Sequence, residues 1–238
     1  MLTGTLYLFP VLLVGSDVER ALPRYNIEAL KRVRYFIVEN LRSARRFLKL
    51  CDRDIDIDSL TFVELNEHTP VADIPVMLRP LKEGHDVGVI SEAGCPAVAD
   101  PGADVVALAQ QQGIKVVPLV GPSSILLSLM GSGFNGQRFA FGGYLPIDGT
   151  ARQNRLNEMV RRIMREDESQ IFIETPYRNN KLIAELCGSL PGHLLLCVAS
   201  GVTTDKESIV TRPLSEWKTL TFNYDKIPTI FLLYKSGK

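Results

Sequence analysis

Apolar and polar residues follow two different periods along the first half of the chain. Short apolar, strand-like runs recur there, and the stretches between them carry apolar residues at helical spacing, as from Val71 to Leu81. Strands that alternate with helices are typical of a parallel sheet covered by helices on both faces. The predicted strands of this half are Thr5–Phe9, Tyr35–Val38, Thr61–Leu65, Val87–Ile90 and Lys115–Pro118.

The dipeptide Gly121-Pro122 interrupts this pattern, and a second set of elements follows it. We therefore predict an α/β protein with two α/β domains, residues 1–118 and residues 119–238. The predicted helices of the second domain are Ser124–Met130, Arg152–Arg165 and Asn180–Leu186, with a short helical turn at Pro213–Trp217. Its predicted strands are Phe139–Gly142, Gln170–Glu174, Leu194–Ala199, Ser208–Val210 and Thr229–Tyr234.

Composition and charge narrow the class of protein. A chain of 238 residues is long enough for two domains, and its 27 basic residues balance 27 acidic ones. Long-range attraction to a polyanion is therefore not its organising feature, although a local basic patch could still hold an RNA. The apolar stretch Leu6–Val14 is better explained as a buried strand than as a signal peptide, because no Lys or Arg precedes it and Pro10 interrupts it.

Neither a membrane span nor a disulfide framework is indicated. No run approaches the roughly 20 apolar residues that cross a bilayer. The four cysteines are scattered without a CxxC pair, which fits free thiols in a reducing cytosol. We therefore expect a cytoplasmic protein. We also expect no metal site, because the alternating aspartates of Asp52–Asp58 fail the calcium-loop pattern and the three histidines have no companions at ligand spacing.

The stretch Ser91–Pro96, followed by Ala99–Gly102, is the richest candidate for chemistry. It comes directly after the predicted strand Val87–Ile90, and ligands of open parallel sheets bind at the carboxyl ends of strands. Gly94 lets a backbone approach a ligand closely. An ordinary strand-to-helix turn, with Asp100 capping the next helix, accounts for the same residues equally well. Both interpretations stay open on the local pattern.

Three further stretches interrupt the predicted elements. Val120–Ser124 is a linker with a helix N-cap when it is taken alone, although its free amides could also hold a ligand. Phe141–Pro146 and Glu174–Arg178 both follow predicted strands. An acid, a proline and an arginine are poor core residues, so we expect the last two stretches in a cleft or at a subunit contact.

Two predicted helices concentrate basic residues. A solvated face is the usual explanation of such a run, and contacts to phosphate are the alternative. The first cluster shares one helical face because its residues are spaced by three or four positions. The clusters are Arg42, Arg45, Arg46 and Lys49, and Arg152, Arg155, Arg161, Arg162 and Arg165.

Taken together and in this order, these stretches resemble the tetrapyrrole-methylase superfamily. Within it they resemble the ribosomal RNA small subunit methyltransferase I branch, which methylates a cytidine 2′-hydroxyl. That branch reads Ser-Asp-Ala-Gly-Thr-Pro and then Asp-Pro-Gly, where this chain has Ser91–Pro96 and Asp100–Gly102. Its Gly-Pro-Ser-Ala, Gly-Phe-Leu-Pro and Glu-x-Pro-x-Arg match Gly121–Ser124, Gly143–Pro146 and Glu174–Arg178. The similarity covers nearly the whole chain.

The resemblance implies a homodimer in which each chain binds S-adenosylmethionine in the cleft between its two α/β domains. It implies ribosomal RNA, or the small ribosomal subunit, as the substrate. Glu92 and Glu174 are the carboxylates implied to orient or deprotonate the acceptor hydroxyl, and Arg42, Arg178 and Lys206 are the candidates for substrate binding. The implied cofactor-binding residues are Ser91, Glu92, Ala93, Gly94, Pro96, Ser123, Ser124, Tyr144, Leu145 and Pro146.

The chain departs from the family pattern in two loops. Phe9–Val14 lacks the Gly-Asn of the family's first loop, and Ala199–Thr204 has lost two basic residues and an acidic one. Two alternatives therefore accompany the prediction of an RNA methyltransferase. One is a methylase of a tetrapyrrole or similar small molecule, and the other is a relative that binds S-adenosylmethionine without catalysis.

Overall fold

The computed structural model describes residues 3–236 and shows two compact units, one that ends at Ser123 and one that begins at Ser124. We call them the first unit and the second unit. Each contains a five-stranded sheet together with helices, so the predicted α/β class is confirmed. The change from one unit to the next follows directly after Gly121-Pro122-Ser123.

The sheet of the first unit is entirely parallel, as the alternation of strands and helices predicted. The first strand in the chain pairs on both sides, with Leu6 opposite Val87 on one neighbour and Val116 on the other. The strand order is β3-β2-β4-β1-β5. The strands are β1 (Leu6–Phe9), β2 (Tyr35–Val38), β3 (Thr61–Glu64), β4 (Val87–Ile90) and β5 (Val116–Pro118).

Helices bury apolar residues against this sheet in two clusters, one around Leu78 and Leu81 and one around Phe36 and Leu48. The side chain of Asn40 begins α3 by accepting hydrogen bonds from two free backbone amides. The helices are α1 (Val18–Ala21), α2 (Arg24–Leu30), α3 (Leu41–Cys51), α4 (Ile74–Met77), α5 (Arg79–Lys82) and α6 (Gly102–Gln111), with 3-10 turns at Ile57–Ser59 and Val71–Asp73.

The region from Val71 to Leu81 differs from the continuous helical face that its spacing indicates. Ile74 and Leu81 are buried as expected, but Val71 is 72% exposed. Pro75 and Pro80 divide the region into single turns, because proline has no amide hydrogen for the helical ladder and is tolerated only at the start of a helix.

The sheet of the second unit is mixed. Strands β6 (Phe139–Tyr144) and β7 (Ser169–Ile173) are parallel, and the other three pair in antiparallel fashion in the order β6-β7-β10-β8-β9. These three are β8 (Leu195–Ser200), β9 (Ser208–Pro213) and β10 (Thr229–Tyr234). The sequence pattern located these strands but carried no information about their direction.

Four helices cover this second sheet. Leu156, Met159 and Ile163 recur at helical spacing and are fully buried under the longest of them, while Trp217 donates its indole hydrogen to the Leu196 carbonyl at 2.9 Å. The helices are α7 (Ser124–Ser132), α8 (Gly149–Glu166), α9 (Asn179–Ser189) and α10 (Leu214–Trp217).

The four cysteines all lie within the described residues and are free thiols, as the scattered spacing predicted. Burial raises the pKa of the Cys51 thiol to about 12 and that of Cys197 to about 11. Both therefore stay protonated and unreactive at neutral pH. Between residues 3 and 236, no helix combines the length and the apolar character that a membrane crossing requires.

Candidate functional site

The loops that carry the sequence motifs of the first unit meet at one edge of its sheet. All five strands are parallel, so their carboxyl ends point to the same edge. The segments that leave β1, β2, β4 and β5 there are Pro10–Val14, Glu39–Asn40, Ser91–Pro96 and Leu119–Ser123. The structure thus brings together motifs that lie more than 100 residues apart in the sequence.

The first of these loops is paired with the Ser91–Pro96 loop. The Val11 amide donates to the Gly94 carbonyl at 2.8 Å, and the Gly94 amide donates to the Val11 carbonyl at 3.1 Å. Gly94 has φ +72°, and a Cβ built there would lie 3.5 Å from the Pro122 carbonyl oxygen. There is room for a Cβ, so the backbone conformation is what requires glycine at this position.

The Val120–Ser124 segment is also fastened to the first unit. Asn26 donates its side-chain amide to the Val120 carbonyl at 2.8 Å, and the Cys95 thiol lies 3.5 Å from the Pro122 carbonyl. Gly121 passes so close to Pro10 that an added Cβ would lie 2.2 Å from the Pro10 Cβ. Close packing against Pro10 therefore requires a glycine at position 121, and conformational freedom is not its main contribution.

Ser91 is a buried polar residue that the protein leaves unsatisfied. Its exposed fraction is only 7%, and its hydroxyl has no hydrogen-bond partner among residues 3–236. A buried hydroxyl without a partner costs free energy, typically about 1–3 kcal/mol. A bound ligand with a polar atom at this position would remove that cost. Within the same loop Pro96 is buried, whereas Glu92 and Ala93 are exposed.

Asp100 holds the second half of this region in shape. Its Oδ1 accepts from the Ala97 amide at 3.0 Å and from the Gly102 amide, at the start of α6, at 2.7 Å. Ala97 and Ala99 have positive φ angles of 65° and 55°. Such strain in non-glycine residues is typical of functional loops. The turn-forming role of Asp100 and a ligand-binding role of the loop are therefore compatible.

The carboxylates of Glu39, Glu92 and Asp100 lie close together where β2 and β4 end. The Glu92 amide donates to Glu39 Oε2 at 3.0 Å, and the Ser43 hydroxyl donates to the Glu92 carboxylate. Burial raises the pKa of Glu39, and the charges of Asp100 and Glu92 raise it further, against the hydrogen bond from Glu92. Glu39 was not among the predicted site residues. Its position directly after a buried strand was the signal that could have pointed to it.

Arg152 is a buried ionic centre in the second unit. Its exposed fraction is 9%, and it donates to Glu185 at 2.7 Å, to Glu174 at 3.2 Å and to the Pro146 carbonyl at 3.2 Å. The two carboxylates neutralise its charge. Burial and the ion pairs with Glu174 and Glu185 tell against Arg152 as a phosphate contact, because its guanidinium is held within the protein.

This centre connects two of the predicted motifs. Arg152 joins Glu174 to the turn Tyr144–Pro146, of which Leu145 is buried and Tyr144 is exposed. The other Glu174 oxygen accepts from the Thr175 amide at 2.8 Å. Each oxygen of Glu174 thus already accepts a hydrogen bond from the protein, an arrangement that fits an orienting carboxylate better than a base.

The two basic helices differ in how their charges are used. On α8, Arg155 pairs with Glu158 at 2.9 Å and Arg162 with Glu168 at 3.2 Å, which weakens the case for phosphate binding there. On α3 the basic residues Arg42, Arg45, Arg46 and Lys49 are all exposed. The α3 face therefore keeps its charge available for a partner.

The remaining substrate candidates lie in the second unit. Arg178 is exposed beside the start of α9 and lines a cavity of about 280 Å³ with Arg152, Glu174, Lys181 and Glu185. Arg178 and Glu174 thus line the same cavity, in line with the cleft expected for the Glu174–Arg178 stretch. Lys206 is exposed too, but it does not line that cavity.

Sequence comparison gives a consistent set of relatives, although no family model matches the chain. Three proteins named ribosomal RNA small subunit methyltransferase I come from Vibrio cholerae, Micromonospora olivasterospora and Escherichia coli O157:H7. They are 30%, 31% and 27% identical over 89%, 90% and 90% of this chain. The aligned part covers 69%, 64% and 70% of their lengths, and between 52% and 68% of the lengths of further relatives with the same name.

Structure comparison identifies the fold. The methyltransferase CobJ, a Thermus thermophilus uroporphyrin-III-C-methyltransferase and a diphthine synthase each cover 98% of this chain, with TM-scores of 0.63, 0.57 and 0.66. This chain covers 95%, 94% and 90% of those chains at 16–17% identity. The chain therefore belongs to the ribosomal RNA small subunit methyltransferase I family, which has the tetrapyrrole-methylase fold and uses S-adenosylmethionine as its cofactor.

Proposed function

We propose that this chain transfers the methyl group of S-adenosylmethionine to a ribose 2′-hydroxyl of ribosomal RNA. The names of the sequence relatives support an RNA substrate. The observation that carries the proposal is the hydrogen bond at one sheet edge between the Ser91–Pro96 loop, which contains Glu92, and the carboxylate of Glu39. That edge offers a place for a ligand and a group that can take a proton.

The residues of this edge fit the cofactor. The segments Ser91–Pro96 and Val120–Ser124 contain no Lys or Arg that would repel a sulfonium, and Ser91 offers a buried hydroxyl that is unsatisfied within the described residues. When bound, S-adenosylmethionine supplies a methyl group already activated for displacement. The cofactor-binding residues that the proposal takes from the first unit are Ser91, Glu92, Ala93, Gly94, Pro96 and Ser123. From the second unit the family resemblance adds Ser124, Tyr144, Leu145 and Pro146.

Transfer to a hydroxyl needs alignment and the removal of one proton. The hydroxyl oxygen bonds to the methyl carbon as the carbon–sulfur bond breaks, and the hydroxyl proton passes to a carboxylate. Glu92 is the base of this proposal, because its side chain is exposed at the end of β4 while the Ser43 hydroxyl fixes its orientation. Glu174 is a positioning residue that acts through Arg152.

The RNA contacts of the proposal are basic and exposed. Arg42 on α3, Arg178 beside α9 and Lys206 bind phosphates. A ribosomal RNA substrate supports a cytoplasmic location for the protein. The family resemblance supports a homodimer, which light scattering tests directly.

Analysis of the methylated product tests the reaction. RNA that has received a labelled methyl group is digested to nucleosides, and we expect the label in a 2′-O-methyl nucleoside. Label in a methylated base, or transfer to a tetrapyrrole instead of RNA, would overturn the proposal. With S-adenosylmethionine at a saturating concentration, Glu92→Gln should lower the transfer rate by about 10²–10⁴-fold. Glu83→Gln, an exposed carboxylate ahead of β4, is the matched control.

A further inference from the structure

A cavity of about 530 Å³ opens beside the carboxyl end of β3, outside the residues assigned so far. Val63 and Val76 give it apolar walls and are 40% and 71% exposed. Glu64, His68 and Asp73 add polar groups. A concave, partly apolar space of this size with a few polar groups is typical of a ligand pocket.

The loop that forms one wall of this cavity has a fixed shape. The Leu65 amide donates to the Val38 carbonyl at 2.8 Å, which extends the pairing of β3 with β2. The Asn66 amide donates to the Thr69 hydroxyl at 3.0 Å, and the Asn66 side chain accepts from the His68 amide at 3.0 Å. The pocket is therefore formed in advance of any ligand.

Its position links it to the proposed reaction. The strand order β3-β2-β4 places the end of β3 two strand spacings from Ser91 and Glu92, roughly 10 Å along the sheet edge. Glu64, a lining residue, accepts from the Leu41 amide at 3.0 Å and so touches the start of α3. The Arg45 guanidinium lies 5.6 Å from the centre of the Phe62 ring on β3. The start of α3 thus touches a lining residue of the pocket, and Arg45 reaches the strand that carries Val63 and Glu64.

The chemistry of the lining selects one kind of occupant. The carboxylates of Glu64 and Asp73 repel phosphate and accept hydrogen bonds from exocyclic amino groups such as cytosine N4. Valine side chains pack against the faces of a planar base, and an exposed imidazole such as that of His68 can stack on it. Phosphates of the same RNA strand would bind the arginines of α3.

We propose that this cavity binds an amino-bearing nucleobase of single-stranded RNA while the α3 face holds the adjacent phosphates. The inference rests on the proposed RNA methyltransferase function. It adds a base-recognition site in the first unit that is separate from the cofactor loops.

A matched pair of variants tests whether the cavity is occupied. Val76 lines it and Val71 does not, although they are 71% and 72% exposed and lie on neighbouring turns. Val76→Trp should fill the pocket and weaken the binding of fluorescently labelled oligocytidine by about tenfold or more, the equivalent of one lost base contact. Val71→Trp should leave it unchanged. Thermal unfolding confirms that both variants are folded.

A second comparison tests the recognition of the amino group. Oligocytidine and oligouridine differ at the base by an amino group in place of a carbonyl, so the protein should bind oligocytidine more tightly. Asp73→Ala should bring the ratio of the affinities for oligocytidine and oligouridine close to one. Within the described part of the chain, Asp73 makes no side-chain capping bond to α4, so the substitution spares the helix.

The possible failures are distinguishable. Equal affinity of the two tryptophan variants, with methyl transfer to RNA intact, would overturn the base pocket and leave the proposed function standing. Val76→Trp that changes the molecular mass in solution but not the affinity for RNA would identify the cavity as a subunit interface, which also overturns the inference. A wild-type protein that neither binds oligocytidine nor methylates RNA would remove both proposals.

Discussion

The backbone of Val11 and that of Gly94 exchange two hydrogen bonds, at 2.8 Å and 3.1 Å. They form an isolated antiparallel bridge between the loop after β1 and the loop after β4. The first loop has lost the Gly-Asn of its family, yet it still fastens the Ser91–Pro96 loop. Its change of sequence therefore leaves the support of the proposed cofactor site intact.

Gly94 offers a test of that site. Asparagine tolerates the left-handed conformation that φ +72° requires, and the space around Gly94 admits a Cβ, so Gly94→Asn should fold. The added side chain should weaken S-adenosylmethionine binding by about tenfold or more in calorimetry. Gly113→Asn is the control, at φ +67° with no described atom within 4 Å of its Cβ. Unchanged affinity in a folded Gly94→Asn would remove this loop from the cofactor site.

Arg152 should be essential for stability. Arg152→Met leaves Glu174 and Glu185 without their cation, and removal of one partner from a buried ion pair costs about 3–5 kcal/mol. Denaturant unfolding measures this loss. The exposed Arg161 on the same helix is the control, and Arg161→Met should change stability by less than about 0.5 kcal/mol. Similar stabilities for the two variants would contradict the buried centre.

Glu39 should make the stability of the protein depend on pH in an unusual direction. Its pKa is raised by burial and by neighbouring carboxylates, so the folded state disfavours its charged form. The resulting loss of folding stability is absent below the unfolded pKa of about 4.3, grows between that pKa and the raised folded pKa, and is fully present above the folded pKa. Glu39→Gln should therefore be more stable than the wild type at pH 7.

The difference between the two proteins should disappear at low pH, where both carry a neutral side chain at position 39. Urea unfolding at several pH values measures it, and the comparison cancels the titration of the other carboxyl groups. A Glu39→Gln variant that is less stable at pH 7 would show that the hydrogen bond from the Glu92 amide outweighs the repulsion.

The α3 face should carry most of the salt dependence of RNA binding. Replacing Arg42 and Arg46 by Glu should weaken binding and reduce the slope of log affinity against log salt by about one to two, since each lost phosphate contact contributes about 0.7 on a single strand. The control is the same change at Arg161 and Arg165 on α8, which are also exposed. An equal effect of the two double variants would remove the distinction between the helices.

Much of the fold was predictable because its strands are short and strongly apolar. Tyr35–Val38 and Val87–Ile90 occur in the structure with the bounds that the sequence indicated. The spacing failed at Val71, where the prolines of α4 and α5 overrule a helical pattern. The mixed pairing of the second sheet was not predictable, because strand direction depends on connections that residue type does not encode.

The candidate site was predictable only where a motif marks it. Ser91–Pro96 follows a strand and so had to lie at the carboxyl edge of the sheet. The burial of Arg152 depends on Glu174 and Glu185, which are 22 and 33 residues away in sequence, so a helix rich in arginine gave no sign of it. The same holds for the cavity beside β3, whose walls come from a strand, a loop and a separate helix.

Methyl transfer to ribosomal RNA is the most direct test of the central claim. The purified protein is incubated with methyl-labelled S-adenosylmethionine and with RNA or small ribosomal subunits from its own organism lacking the gene. We expect label to enter that RNA, and little to enter RNA from the unaltered organism, which is already methylated. Tight cofactor binding without transfer to either pool, as free RNA or as subunits, would contradict the account.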